Sequence, residues 1–476
     1  MHASETEDRI VAVGEASGRR PWVVLIVLSV AQFMVVLDVT VVNVALPSIG
    51  RALDFAPTDL QWVITAYVLF TGGLLLLGGR ATDLLGRRRV FLAGLTVFTA
   101  ASLASGLAPS SSALVVARAA QGLGAAMLTP GALSIIVTTY TGQQRAVALS
   151  AWGAIGSAGA AAGVVMGGML TTWLGWESIF FVNVPVGIAT GVLALRLVPA
   201  HAPAIAGRRE LDLGGAVALV AGLMVLVYAI EGTGQHGWGS ARTLVLGALA
   251  AGLLATFVAI ERRARHPLVP PAVWKVRSLV SGVGLMFGAT GVLVGTFFLN
   301  SLYLQRVLGA SALETGLAFL PLALVIGLGA HLASQLLRRV GTRALAAAGL
   351  VLMAAGSLLL AAAPDHASYV TDLLPGFLAV GLGVGLVFPA ASVTTMSEVH
   401  DARSGVASGL MSTGHEVGAA LGVATFSAVA TAASSFVAGY ADGFLAAAVV
   451  AGVLAIAALV VLPAVRPSGE ARPAVH

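Results

Sequence analysis

The sequence predicts an all-α polytopic membrane protein. Three observations predict it: the composition, a series of long apolar runs, and the one-sided placement of the basic residues. Of 476 residues, 58% are hydrophobic and 10% are charged, whereas a soluble domain carries about 25% charged residues. So few charges cannot cover a water-facing surface, so the expected partner is the lipid bilayer. The net charge of +5 is not interpreted as a nucleic-acid signal, and no nucleic-acid partner is expected.

Fourteen apolar runs are long enough to cross a bilayer, which takes about 20 residues as a helix. Helix is the expected conformation because a span must satisfy its own backbone hydrogen bonds in hydrocarbon. In chain order the predicted limits are 22–46, 60–79, 90–108, 112–140, 147–171, 178–198, 213–231, 242–262, 279–306, 313–334, 344–363, 369–396, 403–432 and 441–463.

The basic residues give the direction of these spans. With the N-terminus in the cytoplasm, 22 of the 26 Lys and Arg residues fall in cytoplasmic loops or tails. Three fall outside (Arg51, Arg242 and Arg306), and Arg118 falls within a span. This distribution follows the positive-inside rule. It predicts a multi-pass protein of the cell membrane with both termini in the cytoplasm.

Two parallel halves are predicted from repeated motifs. Gly122 and Pro130 of span 4 recur as Gly381 and Pro389 of span 12, 259 residues later. The residues Arg145, Ser150 and Gly156 recur after 258 residues, and Gly86 recurs after 255 as Gly341. We therefore predict a cytoplasmic tail (1–20), a six-helix bundle (21–200), two extra central spans (210–265), a second six-helix bundle (278–465) and a second tail (466–476). Parallel repeats suit a rocking carrier whose site lies between the halves.

Enzymatic and ATP-driven functions find no support in the sequence. It has no cysteine, no clustered metal ligands and no phosphate-binding glycine loop with lysine, since its one lysine is Lys275. No enzyme activity, metal or cofactor is expected, and the proton gradient is the expected energy source.

Two opposite charges are predicted at matching depths inside the first half. Asp38 lies eight residues from the outer end of span 1 and Arg118 six from the outer start of span 4, so both lie about 9–12 Å below the outer helix ends. Charges inside a membrane are costly and are functional by default. We expect the two to face one polar cavity and to bind and release a proton; a static ion pair is the alternative. Glu416, interpreted as the only other acid deep in a span, is a second candidate for proton coupling.

Small and polar residues supply the remaining candidates. Glycines at four-residue intervals let helices approach closely, and we expect these faces to form the sliding interface between the halves. They are Gly159, Gly163 and Gly167 in span 5, and Gly414, Gly418 and Gly422 in span 13. Tyr67, Gln121 and Asn300 are the residues we select to line a substrate cavity for a small molecule, because they lie on core spans away from the helix ends.

Four segments carry a resemblance to a known family. Residues 37–47 read LDVTVVNVALP, 79–89 read GRATDLLGRRR, 118–124 read RAAQGLG and 176–187 read WESIFFVNVPVG. Together they resemble the fourteen-span drug:proton antiporters (EmrB/QacA-like) of the major facilitator superfamily, over about residues 20–465.

The resemblance implies a major facilitator fold, with two six-helix bundles and two extra central helices. It implies proton-coupled export of small amphipathic organic molecules, such as drugs or antibiotics, by alternating access. It also implies a cytoplasmic gate at Gly79, Asp83, Gly86, Arg87 and Arg88, where Asp83 locks the halves together in the outward-facing state. A monomer is expected.

One motif departs from the family pattern. Residues 163–168 read GVVMGG, with Val164 where the exporter motif of span 5, which ends in Gly167 and Gly168, has proline. This leaves open uptake or uniport on the same fold. A membrane sensor without transport is a further alternative, against which the presence of Asp38 and Arg118 argues.

Overall fold

The computed structural model describes residues 20–56, 59–198, 212–264, 267–399 and 404–465. Over these ranges the chain is helical and contains no strand. Eleven of the described helices are long and apolar enough to cross a membrane. The two predicted tails, apart from Arg20, lie outside the described residues.

The helices account for the fourteen predicted spans. Helix Ala312–Ala361 has 50 residues, which at 1.5 Å per residue is about 75 Å and enough to cross a bilayer twice. It is broken at Gly341, whose φ of 80° interrupts the helical backbone. We therefore count it as spans 10 and 11, before and after Gly341. Spans 1 to 9 are Arg20–Ala52, Trp62–Leu85, Arg87–Gly106, Ser111–Thr139, Gly142–Leu174, Ser178–Phe181 with Asn183–Leu197, Leu213–His236, Ala241–Arg263 and Arg277–Arg306. Spans 12 to 14 are Leu374–Met396, Ser404–Ala432 and Phe436–Val461.

This architecture confirms the predicted all-α polytopic class. Several spans run past their predicted ends, since the helices continue through proline and polar residues. Span 1 continues through Pro47 to Ala52, and span 7 continues from 231 to His236. The second extension places Glu231 inside a span.

The two halves have similar internal packing. Spans 1 to 6 pack mainly on one another, as do spans 9 to 14. Across the boundary, span 2 packs on span 13 and span 5 on span 10. Span 7 packs on spans 2 and 13, and span 8 packs on span 7 with an outer surface that is almost wholly accessible. Spans 7 and 8 therefore lie beside the boundary between the halves.

The halves are joined at the end that the arginine distribution assigns to the outside. Ser301 Oγ donates to the Asn43 carbonyl oxygen at 2.5 Å, and Gln305 Nε2 donates to the Val44 carbonyl oxygen at 2.8 Å. The Leu313 amide donates to Thr172 Oγ1 at 3.1 Å. These three contacts close the boundary between the halves at this end.

A short connection joins span 8 to the second half. It contains a turn of 3₁₀ helix, Pro271–Lys275. Glu261 near the end of span 8 accepts the amides of Leu268 and Val269, at 3.3 and 3.0 Å. Val273 of the turn belongs to an apolar cluster that draws residues from spans 2, 9 and 13. The connection is therefore packed against both halves.

Candidate functional site in the first half

Asp38 and Arg118 form a buried ion pair. Arg118 Nη1 lies 2.5 Å from Asp38 Oδ2. The Asp38 side chain is 0% exposed and that of Arg118 is 1% exposed. Spans 1 and 4 run in opposite directions, so their matching depth brings the two charges together. The pair lies within the packed first half; the sequence expectation that it faces a polar cavity is not met in this closed arrangement.

Neutral side chains complete the coordination of the Asp38 carboxylate. Gln121 Nε2 and Asn183 Nδ2 donate to Asp38 Oδ1 at 2.7 and 2.8 Å. Asn183 Nδ2 also contacts Ser102 Oγ at 3.0 Å, and Ser102 donates to the Phe180 carbonyl oxygen. The carboxylate thus receives hydrogen bonds from spans 4 and 6, and a buried charge is tolerated only when it is paired and hydrogen-bonded in this way.

Arg118 is held by span 2 as well as by Asp38. Its Nε donates to the Val63 carbonyl oxygen at 3.0 Å, and its Nη1 donates to Gln121 Oε1 at 2.8 Å. The guanidinium carbon lies 4.4 Å from the centre of the Tyr67 ring, a favourable cation–π distance. Four spans of the first half therefore meet at this arginine and its carboxylate.

Tyr67 connects the ion pair with the second half. Its ring packs on Arg118, and its buried hydroxyl has no hydrogen-bond partner among the described residues. It lies close enough to both Asp38 and Glu416 to feel their charges. A tyrosine hydroxyl both donates and accepts hydrogen bonds. Tyr67 is therefore suited to interact with Asp38 on one side and Glu416 on the other.

Glu416 lies at the boundary between the halves, thirteen residues into span 13. A Cβ built on Gly72 of span 2 would lie 2.5 Å from the Cβ of Glu416, so only glycine leaves room here. The Glu416 side chain is half-buried and makes no hydrogen bond within the described part of the chain. The neighbouring His415 is paired with Thr290 Oγ1 at 3.0 Å. Glu416 is thus partly accessible where Asp38 is sealed.

Two residues selected for the substrate cavity are committed to other contacts. Gln121 is bound to Asp38 and Arg118. Asn300 is 0% exposed and accepts a hydrogen bond from the Tyr440 hydroxyl at 2.7 Å. Both therefore act as buried partners in this structure and do not line an opening.

The small-residue faces lie within the halves, which corrects their expected place between them. Gly163 packs against Thr40 of span 1, and Gly418 packs against Phe287 of span 9. The reason is geometric: residues four apart lie on one helix face, and that face points into its own bundle. The contact between the halves uses the adjacent face, where Gly168 meets Leu313 of span 10.

The residue that departs from the family motif lies on this contact. Val164 is 1% exposed, and its carbonyl group lies directly against Gly316 of span 10, leaving no room for a side chain there. The replacement of proline by valine therefore falls where the two halves touch.

The cytoplasmic loop between spans 2 and 3 turns at Gly86, which has a φ of 97°. Arg88 donates to the Leu195 carbonyl oxygen at the end of span 6, within the same half. Asp83 makes no hydrogen bond or ion pair to the second half in the described residues. Gly79, beside Pro130 of span 4, packs within its own half. The locking role expected of this loop stays a prediction for the opposite conformation.

The sequence reasoning missed several partners of the site. Asn183 and Ser102 were not selected, although Asn183 lies inside one of the family-like segments. Glu231 and Glu261, which are 6% and 7% exposed, are further buried acids near the ends of spans 7 and 8, and neither was selected.

Comparison with known proteins identifies close relatives. The family described as Major Facilitator Superfamily matches residues 28–423. The cephamycin export protein CmcT of Amycolatopsis lactamdurans is 42% identical over 83% of this chain and 82% of its own length. The puromycin resistance protein pur8 of Streptomyces alboniger is 42% identical over 84% and 80%. The tetracenomycin C resistance and export protein of Streptomyces glaucescens is 35% identical over 88% and 78%.

A solved structure shows a similar fold. The crystal structure of a peptide transporter POT in complex with sulfate superposes with a TM-score of 0.68, at 15% identity, over 93% of this chain and 94% of that one. At this identity the likeness concerns the fold alone.

Proposed function

The chain belongs to the major facilitator superfamily and has its fold, and we propose that it is a proton-coupled antiporter that exports small amphipathic antibiotics or drugs. It is a multi-pass membrane transporter whose relatives are antibiotic export and resistance proteins. In this proposal it works as a monomer in the cell membrane, with both termini in the cytoplasm and the proton gradient as its energy source.

The observation that carries the proton part is the buried Asp38–Arg118 pair. A carboxylate that is sealed from water by packing, yet held by one arginine and two amides, is stable as an ion only while those donors stay in place. Movement of spans 1 and 4 during alternating access would separate the donors and favour proton binding. Rearrangement of the pair in this way would couple proton binding to the conformational change.

Glu416 is the second proton-coupling group in this proposal. It lies on the other half, near Tyr67, and is partly accessible where Asp38 is sealed. A proton released from Asp38 in one state would find Tyr67 and Glu416 on the route to the boundary between the halves. Glu416 could equally neutralise the charge of a cationic substrate, and Glu416→Gln separates the roles: it would impair cationic and neutral substrates alike only if the residue carries the proton.

Drug accumulation separates export from the alternatives. An efflux-deficient host carrying the gene would be exposed to puromycin, lincomycin and tetracenomycin C, with and without a protonophore. Export predicts lower accumulation of at least one compound and loss of that difference with the protonophore. Higher accumulation would indicate uptake, and no change for any of a broad panel would indicate a sensor; either result would contradict the proposal.

A further inference from the structure

A further buried carboxylate lies on span 7, apart from the Asp38 pair and from Glu416. Glu231 is 6% exposed and lies five residues before the end of its helix at His236, about 7.5 Å below that end. Its Oε2 accepts a hydrogen bond from Trp62 Nε1 at 2.6 Å. Its Oε1 is buried and has no hydrogen-bond partner among the described residues.

The groups around Glu231 do not neutralise it. Asp59, before span 2, and Arg242, at the start of span 8, are the charged residues that face it. Arg242 makes no ion pair with Glu231 within the described ranges. Its guanidinium contacts the His236 ring nitrogens at 3.1 and 3.2 Å and lies 5.0 Å from the centre of the Tyr228 ring. In the described structure the Trp62 indole is therefore the one side chain that donates a hydrogen bond to Glu231 within normal geometry.

Gln61 supplies a partner that suits either protonation state. It is 0% exposed, it precedes the first residue of span 2, and neither atom of its amide is hydrogen-bonded in the described structure. It lies beside the Glu231 carboxyl group. An amide can donate to a carboxylate through its nitrogen or accept from a protonated carboxyl group through its oxygen. The indole of Trp62 can donate to both forms.

We propose that Glu231 is a further proton-binding site, at the outer end of span 7, and that Trp62 and Gln61 accommodate its charged and neutral forms. The proton that binds comes from the aqueous phase at this end of the bundle. It adds to one carboxylate oxygen and leaves from the same oxygen, so no other bond changes.

The site is connected with the Asp38 pair through span 2. Trp62, which binds Glu231, is adjacent in the chain to Val63, whose carbonyl oxygen accepts from Arg118 at 3.0 Å. The first turn of span 2 is therefore held by span 7 on one side and by Arg118 on the other. A change in the Glu231–Trp62 hydrogen bond would shift the neighbouring Val63 carbonyl oxygen, which accepts from Arg118. Glu231 is therefore a positioning residue for the ion pair. This coupling rests on the proposed proton antiport; proton binding at Glu231 does not.

Infrared difference spectroscopy on the purified full-length protein tests the proton site without a substrate. Spectra would be recorded between high and low pH for the wild type, Glu231→Gln and the matched control Glu398→Gln. This control changes an exposed glutamate whose Oε2 accepts the Ser278 amide at 3.3 Å, a contact that glutamine can keep. The expected result is a titrating carboxyl band that Glu231→Gln removes and that differs in position from the band removed by Glu398→Gln. If the wild type and Glu231→Gln give the same titrating bands, the proposal is wrong.

A second variant keeps the test decisive if Glu231→Gln fails to fold. Gln61→Leu leaves the carboxyl group in place and removes the adaptable amide, so the band should remain and its midpoint should shift. An unshifted midpoint would contradict the proposed site.

Puromycin transport at several pH values tests the coupling. Glu231→Gln should shift the pH optimum relative to the wild type and Glu398→Gln, and an unchanged profile would overturn the positioning role. If the wild type transports nothing in a broad panel, the antiport proposal fails while the infrared result still decides on Glu231.

Discussion

The two halves of the bundle share a frame, meaning the same helix breaks and the same contacts at the helix ends, but their buried polar side chains differ. Gly86 and Gly341, 255 residues apart, both take a positive φ, 97° and 80°, and both break the chain between consecutive spans. Arg88 and Arg343, also 255 apart, each donate to a carbonyl oxygen at the end of the last span of their half, Leu195 and Leu462. The frame is therefore repeated down to single hydrogen bonds.

The interiors differ. In the first half, Asn183 donates to the charged Asp38. In the second half the position 257 residues later is Tyr440, which donates to the neutral Asn300 and packs its ring 4.3 Å from that of Tyr303. The buried polar side chains described in the second half are all neutral. The two halves therefore repeat one frame, and of the two only the first holds a sealed ion pair among the described residues.

The largest effect is expected from Arg118→Ala. It would leave Asp38 as a buried charge without its cation, and breaking a buried pair in this way costs about 3–5 kcal/mol. Unfolding of the detergent-purified protein, followed by temperature or denaturant, would measure the loss. The control is Arg118→Gln combined with Asp38→Asn, which removes both charges and should recover most of the stability but none of the proton coupling. A stable single variant would show that the pair does not hold the first half together.

A smaller loss of stability is expected from removing one buried hydrogen bond in each half, and its size should differ between the halves. Asn183→Ala removes a hydrogen bond to a charged group, worth about 1.5–3 kcal/mol, whereas Tyr440→Phe removes a neutral one, worth about 1 kcal/mol. Only the first should also change the pH dependence of transport, because only Asn183 touches Asp38. Transport into vesicles at several pH values, with a substrate found in the accumulation screen, would measure this. Equal pH responses of the two variants would remove the functional distinction between the halves.

The smallest loss of stability is expected from two arginine variants, one in each half, and it should be similar for both. Arg88→Ala and Arg343→Ala each remove a cation from the C-terminal end of a helix, where such contacts contribute about 0.3–1 kcal/mol. We expect losses of this size and similar to each other in unfolding experiments. A loss several times larger for one of them would show that the repeated contacts are not equivalent.

The ion pair could be predicted from the sequence because the depth of a residue in the membrane depends only on its distance along the helix from the helix end. Two helices of opposite direction, with charges equally far from their outer ends, bring those charges to one level. A depth estimate does not give the rotation of a helix about its axis, which decides the neighbour that each side chain faces. For that reason the glycine faces were assigned to the wrong interface, and Gln121 was expected in a cavity although it points at Asp38.

The remaining misses concern helix ends and contacts distant in sequence. A hydropathy reading ended span 7 at Glu231, since the acid itself lowers the apolar count, whereas the helix continues to His236. The partnership of Glu231 with Trp62 joins residues 169 positions apart. Nothing in either local sequence specifies that spans 2 and 7 adjoin, because this depends on where the two extra spans pack.

In the proposed function, the sealed carboxylate of the first half couples protons to transport, and the variant Asp38→Asn removes that carboxylate. Asparagine keeps the size and hydrogen-bonding capacity of the side chain but cannot ionise. Purified wild type and variant would be compared in liposomes, using a substrate found in the accumulation screen. One assay would measure uptake driven by an imposed pH gradient, and a second would measure substrate exchange without a gradient. We expect Asp38→Asn to abolish gradient-driven uptake while protein yield and exchange remain. Gradient-driven uptake at the wild-type rate in Asp38→Asn would contradict the proposal.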